Sequence, residues 1–440
     1  MRLRRFIGVL LVAAVVSMGA AACDVRVAGR KCTVAGSTAQ DTTHLLVCTK
    51  GRWVKSLTKV QVAFLLLAVL QAKTPAGVAA GNGHSCASME NGDVQCWGFN
   101  SSGQLGDGST TNSSKPKLAT GAKVSGTSRL SGGSTPQPIT GDFDLGAEFG
   151  CAIHPEKLAA STYSQLRCWG FNGFGQLGDG STTNRSSVVE PLGTGVQSVA
   201  TGTVHTCATV DFVGVECWGQ NAAGQLGNNT TTASSSPVVV TGMANKVGPV
   251  AAGGSHSCAL IASAISCWGG NGSGQLGDGT TTQRLTPVAV TLAQPTAIDA
   301  GGEETCALVS DGTARCWGAN GSGQIGDGTT TQRTAPTTVT GVTGATAISV
   351  GQDHACAIVG DGAVRCWGNN ANGQLGDGTT TSSATPILVP GITKATSISA
   401  GFGHTCAVTD KKVMCWGRND FGQLGDGTTT ERHSPVSVPF

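Results

Sequence analysis

Five histidines, His84, His205, His256, His354 and His404, each stand two residues before a cysteine, and a second cysteine follows that one nine or ten residues on. Along a strand this spacing puts the imidazole and the first thiol on one face. One His and two Cys per copy would supply three ligands of a zinc site. The equivalent positions in two further copies are Phe149 and Glu304, where the cysteine pair persists without the imidazole. The metal reading therefore yields to disulfides, and the histidines read as rings that hydrogen-bond nearby backbone and fix a turn. No metal ligand, cofactor-binding residue or catalytic residue is assigned, and no cofactor is expected.

The pairs predicted by spacing are Cys86 with Cys96, Cys151 with Cys168, Cys207 with Cys217, Cys258 with Cys267, Cys306 with Cys316, Cys356 with Cys366, and Cys406 with Cys415. In the sixth pair a Gly-Asp-Gly turn at 360–362 divides two strand-like runs, and folding the hairpin about Asp361 sets Cys356 opposite Cys366 and Ile358 opposite Val364. Where the spacing falls to nine, a two-residue turn remains, Ala262-Ser263 or Asp410-Lys411, and the cysteines still face each other. Opposed residues of an antiparallel pair have Cα atoms roughly 4.5–5.5 Å apart, within disulfide range. So short a loop gives each bridge no more than about 3 kcal/mol.

Each pair belongs to a longer repeat. The phrase Cys-Trp-Gly-x-Asn-x-x-Gly-Gln-Leu-Gly-Asp-Gly recurs seven times with little change, and its last six tryptophans, Trp169 to Trp416, are 49 or 50 residues apart. A period near 50 points to propeller blades. Laid out on the last copy, the strands are 396–400, 404–409, 412–417 and 435–438, four short antiparallel strands to a blade. The Asp-Gly-Thr/Ser turns suggest calcium as well as a turn. The third copy has Asn228-Asn229 there, which favours the turn. The Asn three residues after each Trp fits a left-handed or side-chain-bonded turn.

On these motifs the chain resembles the regulator of chromosome condensation repeat family over about four fifths of its length. The resemblance implies an all-β, seven-bladed β-propeller of four-stranded antiparallel blades. The family's namesake is a nuclear nucleotide-exchange factor for a small GTPase, bound to chromatin; a secreted bacterial relative caps β-lactamases with one propeller face. A closed ring is expected to pair a strand from each end of the chain.

Ahead of the repeats, Arg2, Arg4 and Arg5 precede an apolar stretch from Phe6 to Val16 and small residues up to Ala22, an export signal of bacterial lipoprotein type. Cys23 would be the lipidated residue, and it is the odd one among 17 cysteines. Removing residues 1–22 takes away three Arg and no acid, so the formal charge goes from +2 to −1 (+2 − 3). No basic footprint for nucleic acid remains, nor a polybasic membrane patch. The domain reading is a signal at 1–22, a small β module at 23–56 stapled by Cys32 and Cys48 with Trp53 against the bridge, a linker at 57–77 with the apolar run Val62 to Leu70, and the propeller at 78–440. Localisation follows as exported, an envelope lipoprotein or secreted monomer touching the membrane only through a lipid.

What every copy shares is explained by the fold, so function is sought where one copy differs. The first Trp spacing is 72, and the extra residues fall near 121–138 and inside the Cys151–Cys168 hairpin at 154–164. In an up-and-down blade both insertions emerge on one face, opposite the Gly-Gln-Leu-Gly turns. The hairpin holds the chain's one tyrosine, Tyr163, with Glu156 and Lys157 as further contacts for a partner. The expected function is a non-enzymatic interaction scaffold for an extracellular or envelope protein or a glycan. The alternatives are a secreted inhibitor of an extracellular hydrolase, and an exchange-factor-like or enzymatic propeller.

Overall fold

In a computed structural model, strands are described at residues 24–25, 38–40, 44–49 and 52–58, and the chain is described through 74–124, 143–158 and 161–440. Two units divide it, Met1–Ala72 and Lys73–Phe440. The first holds a four-stranded sheet in which Asp24–Val25 runs parallel to Thr38–Gln40, followed by antiparallel His44–Thr49 and Arg52–Thr58. Cys48 lies opposite Trp53 in that sheet. Cys23, Cys32 and the run Val62 to Leu70 lie outside the described residues.

The second unit is built of seven four-stranded antiparallel sheets, each from four consecutive strands. The first blade is Pro75–Ala80, His84–Met89, Asp93–Gly98 and Ser113–Lys123; the last is Ala395–Ala400, His404–Thr409, Lys412–Gly417 and Arg432–Ser437. The first blade thus begins inside the segment read as linker. Among the described residues no strand is exchanged at the seam, which corrects the expectation that the ends of the chain share a blade. The seam closes through side chains and ring packing instead: Ser397 and Ser399 Oγ accept from the Val78 and Ala80 amides at 3.3 and 2.9 Å. Short inner strands whose amides find partners on the neighbouring blade leave no need for a shared sheet.

Within the blades the hairpins follow turn chemistry. Ala262-Ser263 and Asp410-Lys411 all have positive φ, as two-residue type I′ turns require. Cysteines face each other in all seven hairpins, and the bridges formed have Cα–Cα distances of 4.0–4.1 Å. Outer strands would be free edges, and six of them carry Pro at the same position (Pro116, Pro237, Pro287, Pro336, Pro386, Pro435), removing an amide another sheet could pair with. The second blade has Val188 there, packed over Gly121 of the first blade.

The hydrophobic core lies between blades. Each of the seven apolar clusters joins one blade's cystine and Leu (Ile325 once) to the next blade's fully buried Trp, as Cys356, Cys366 and Leu375 join Trp416. The glycine after that Leu makes the approach possible: Gly425 has φ +70°, and a Cβ there would stand 2.7 Å from Trp97 Nε1.

Candidate functional site

Every blade interface carries the same polar node. The indole N–H of each Trp donates to the backbone carbonyl of the preceding blade's Gln, as Trp97 to Gln423 at 2.8 Å and Trp416 to Gln374 at 2.8 Å. At five interfaces the residue before the first Cys supplies a hydroxyl to the same carbonyl, for example Ser85 to Gln423 at 2.8 Å and Thr305 to Gln275 at 2.9 Å. At four of these the preceding blade's histidine completes it: His205 to Ser257, His256 to Thr305, His354 to Thr405, and His404 to Ser85, at 2.7–2.9 Å. Because the hydroxyl has spent its proton on the carbonyl, Nε2–H of the ring must be the donor. Protonation would place a second N–H on Nδ1, which is buried without an acceptor.

Burial accordingly holds these rings neutral, His256 and His404 down to about 3, His205 and His354 to about 4. His84 is also lowered by burial to about 3, and the residue before the first Cys of the next blade is Gly150, which has no hydroxyl to offer it. Four of the five histidines are inter-blade latches, and their partner is a side-chain hydroxyl of the next blade. This differs from the sequence expectation of a local backbone bond because the partner lies about fifty residues away.

Glu304 occupies the histidine position of the fifth blade, and the residue before the first Cys of the next blade is Ala355, which offers no hydroxyl. It is fully buried, with burial first and then Asp353 and Asp299 pushing its carboxyl well above the usual range. Its Oε1 lies 3.2 Å from Cys306 Sγ. A half-cystine carries no hydrogen, so the protonated carboxyl must donate. Glu304, Cys306 and Cys316 are close enough to hold an ion, but both sulfurs are consumed in the bridge. Glu304→Gln is expected to raise stability at pH 7, by progressively less as pH falls toward the ordinary Glu range, measured by urea titration at several pH values.

Carboxylates also reach the central channel. Asp299 accepts from the Ala300 and Val350 amides, and Asp144 from the Leu145 and Thr201 amides. Both face the channel, and burial raises both, Asp299 to about 7 with Asp144 adding repulsion. Ser349 and Ser399 hold the same position and bind the next blade's amide likewise. The acids are therefore inter-blade straps in a register that also accepts serine.

The Asp-Gly turns are structural. Asp278 Oδ1 accepts from the Thr280 amide and hydroxyl, and Oδ2 from Arg284 at 2.7 Å. Asn271 Nδ2 reaches the Thr280 and Thr282 carbonyls while its Oδ1 accepts from the Leu276 amide. That leaves the side-chain-bonded turn, since none of the seven Asn has positive φ.

Symmetry breaks on the face of the second-to-third strand hairpins. The second blade's hairpin runs out as Phe149–Leu158 and Ser161–Gly170, with Glu156 opposite Tyr163 and Lys157 opposite Thr162. The side chains of Glu156, Lys157 and Tyr163 lie outside the described residues, as does the other insertion beyond residue 124. The two insertions are adjacent where described: His154 Nδ1 is 3.1 Å from the Lys123 carbonyl, and Arg167 donates to the Gly121 carbonyl at 2.8 Å. On the other side Ser164 Oγ donates to the Val196 carbonyl of the third blade.

The third blade adds a residue that sequence reasoning missed. Phe212 stands at a hairpin tip, 95% exposed, with φ 62°, beside Val213, whose carbonyl accepts from the Asn245 amide. A bulky residue in the left-handed region is an outlier. The corresponding tips carry Asn91, Asp311 and Asp361, so the signal was an aromatic at a turn position.

With this geometry in view, an RCC1-like domain model matches residues 158–440, and models of the regulator of chromosome condensation (RCC1) repeat match 76–104 and 91–135. The chain belongs to the RCC1-like family. Human E3 ubiquitin-protein ligase HERC2 is 29% identical over 232 residues, 44% of this chain and 5% of that protein. Human RCC1 domain-containing protein 1 is 32% identical over 138 residues, 27% of this chain and 36% of that protein. The chain thus spans a minor part of these relatives' lengths. Among solved structures, Prp20p from Saccharomyces cerevisiae, studied for binding to Gsp1p and histones, has a TM-score of 0.66 at 21% identity, covering 85% of this chain and 89% of Prp20p. Human WBSCR16 has a TM-score of 0.64 at 23% identity, covering 79% and 95%. At these identities the RCC1-like propeller shares a fold with them.

Proposed function

We propose that this RCC1-like propeller is an exported, envelope-associated scaffold that binds a protein partner through the face bearing the two insertions, and that it catalyses no reaction. The observation that carries the reading is Phe212, held fully out into solvent at a strained φ on the face where the lengthened hairpin projects. A left-handed tip is what hairpin turns here adopt, as at Ala262 and Lys411, but an exposed Phe is not required by the fold, since Asn91, Asp311 and Asp361 stand at that position in other blades. A basic surface for nucleic acid is missing from the sequence, while rigid blades presenting an aromatic on a loop suit recognition of protein.

The test is affinity capture from envelope and culture fluid with the mature chain, beside a form whose insertions are cut to the repeat length and a Phe212→Asn variant. Phe212→Asn is expected to stabilise the fold by about 1 kcal/mol, because Asn tolerates the left-handed region, and to lose the partner. Equal capture by all three forms would sink the reading. Phe212 also supplies the aromatic anchor that an inhibitor of an extracellular hydrolase needs. That second reading requires the captured partner to be a hydrolase whose activity falls on binding.

A further inference from the structure

Aromatic side chains also break the symmetry on the opposite face. There the loops between first and second strands ring the channel mouth, and the chain leaving each third strand stands over them, as in the bond from the Phe99 amide to the Gly83 carbonyl at 2.8 Å. Phe99 and Phe421 meet across the seam with ring centroids 4.7 Å apart, both partly exposed. Arg418 lies 5.7 Å from the Phe421 centroid and is neutralised by Asp420 at 2.5 Å. Phe402, in the seventh blade's loop, donates its amide to the Gly81 carbonyl and lines the channel. Phe171 and the 41% exposed Phe174 form a second pair at 6.3 Å.

These rings occupy only the seventh, first and second blades. At the Phe99 position the other blades carry Gln220, Gly270, Ala319 and Asn369, and at the Phe421 position the third to sixth blades carry Ala223, Ser273, Ser322 and Asn372. The fold is thus satisfied by small or polar residues at both positions. Part of the Phe99–Phe421 contact seals the seam, but Phe171 and Phe174 lie away from it.

The loops that ring the channel mouth carry charge of one sign. The loops at 81–83, 146–148, 202–204, 253–255, 301–303, 351–353 and 401–403 contain Glu148, Glu303 and Asp353 and no Lys or Arg. Burial and then the nearby Glu303 raise the Asp353 carboxyl.

We propose that this face is a second docking surface, distinct from the insertion face, for a protein segment in which Lys or Arg is flanked by aliphatic or aromatic side chains. The carboxylates at the mouth complement the cation, and the Phe faces take both its apolar stem and its neighbours.

The experiment is selection of short random peptides displayed on phage against the immobilised full chain, followed by calorimetric titration of the enriched peptides at low and high salt. Enrichment of Lys or Arg beside Leu or Phe is expected. Affinity should fall about tenfold for Phe99→Ser/Phe421→Ser, the scale of losing one anchor contact, and severalfold for Glu303→Gln/Asp353→Asn and at high salt. Thermal melting of both variants shows that they remain folded, and Phe171→Ser/Phe174→Ser, away from the seam, repeats the test if the first pair does not. Peptides without a basic excess, affinity unchanged by these substitutions, or affinity lost only when the hairpin is shortened would overturn the proposal. The last result would leave the insertion face standing alone.

Discussion

Replacing Trp97 by alanine is expected to cost about 3–5 kcal/mol, the range for truncating a fully buried Trp. Trp97 is buried completely, donates to the Gln423 carbonyl at 2.8 Å and meets Phe440 edge-on at 5.9 Å. Trp317→Ala, inside the ring, removes the same kind of contacts between the fourth and fifth blades. The two variants should nevertheless fail differently. The fourth and fifth blades stay joined by the chain between Arg284–Val290 and Pro295–Gly301, whereas the first and last blades are joined by no covalent segment. Trp97→Ala should therefore open the seam locally, with hydrogen exchange rising first in 75–80 and 395–409. Trp317→Ala should lower the global urea midpoint without that local signature. Equal exchange patterns would show that the seam is no weaker than the other interfaces.

Acidification should weaken the propeller through its latches. The five buried histidines are held at about 3 or about 4 in the folded chain and titrate near 6.5 when unfolded. Their contribution is fully present above pH 6.5 and is lost as pH falls toward the folded values, because the unfolded chain takes up protons the folded one refuses. At pH 5 each ring accounts for a loss of about 2 kcal/mol. Asp299, Asp144 and Glu304 act in the opposite sense. Raised in the folded chain, they favour folding below the ordinary carboxylate range and lose that contribution as pH rises through their folded values. Glu216 and Asp353 are raised as well, so five carboxyls oppose the five rings, and a ring variant isolates the histidine share of the pH dependence. His354→Gln should cost about 1 kcal/mol at pH 7 through its lost latch. It should lose less on acidification than the parent, so the gap narrows by pH 5. A constant gap across that range would show that His354 takes up its proton in the folded chain as readily as in the unfolded one.

Much of the blade was legible because its determinants are local. Cys356 and Cys366 face each other because the turn between them fixes the register, and Ala262-Ser263 keeps that register when one residue is deleted. Repetition then multiplied one hairpin into seven. The functional surfaces were legible only in part. An insertion shows as a broken period, which located 121–138 and 154–164. Phe212 shows only as an aromatic in a turn, and Phe99, Phe171 and Phe421 pass for ordinary variable positions of the repeat. Their significance is spatial, since they gather on one face of adjacent blades.

The sequence by itself determined the repeat, the cystine hairpins, the turn chemistry and the number of blades, because each rests on residues within one period. Tertiary structure alone decided how the blades meet. His404 binds Ser85 and Trp97 binds Gln423 across more than 300 residues of chain. Asp299 becomes a strap because the Val350 amide lies across the interface. No spacing rule encodes these partners, for they are set by the curvature that brings the last blade against the first.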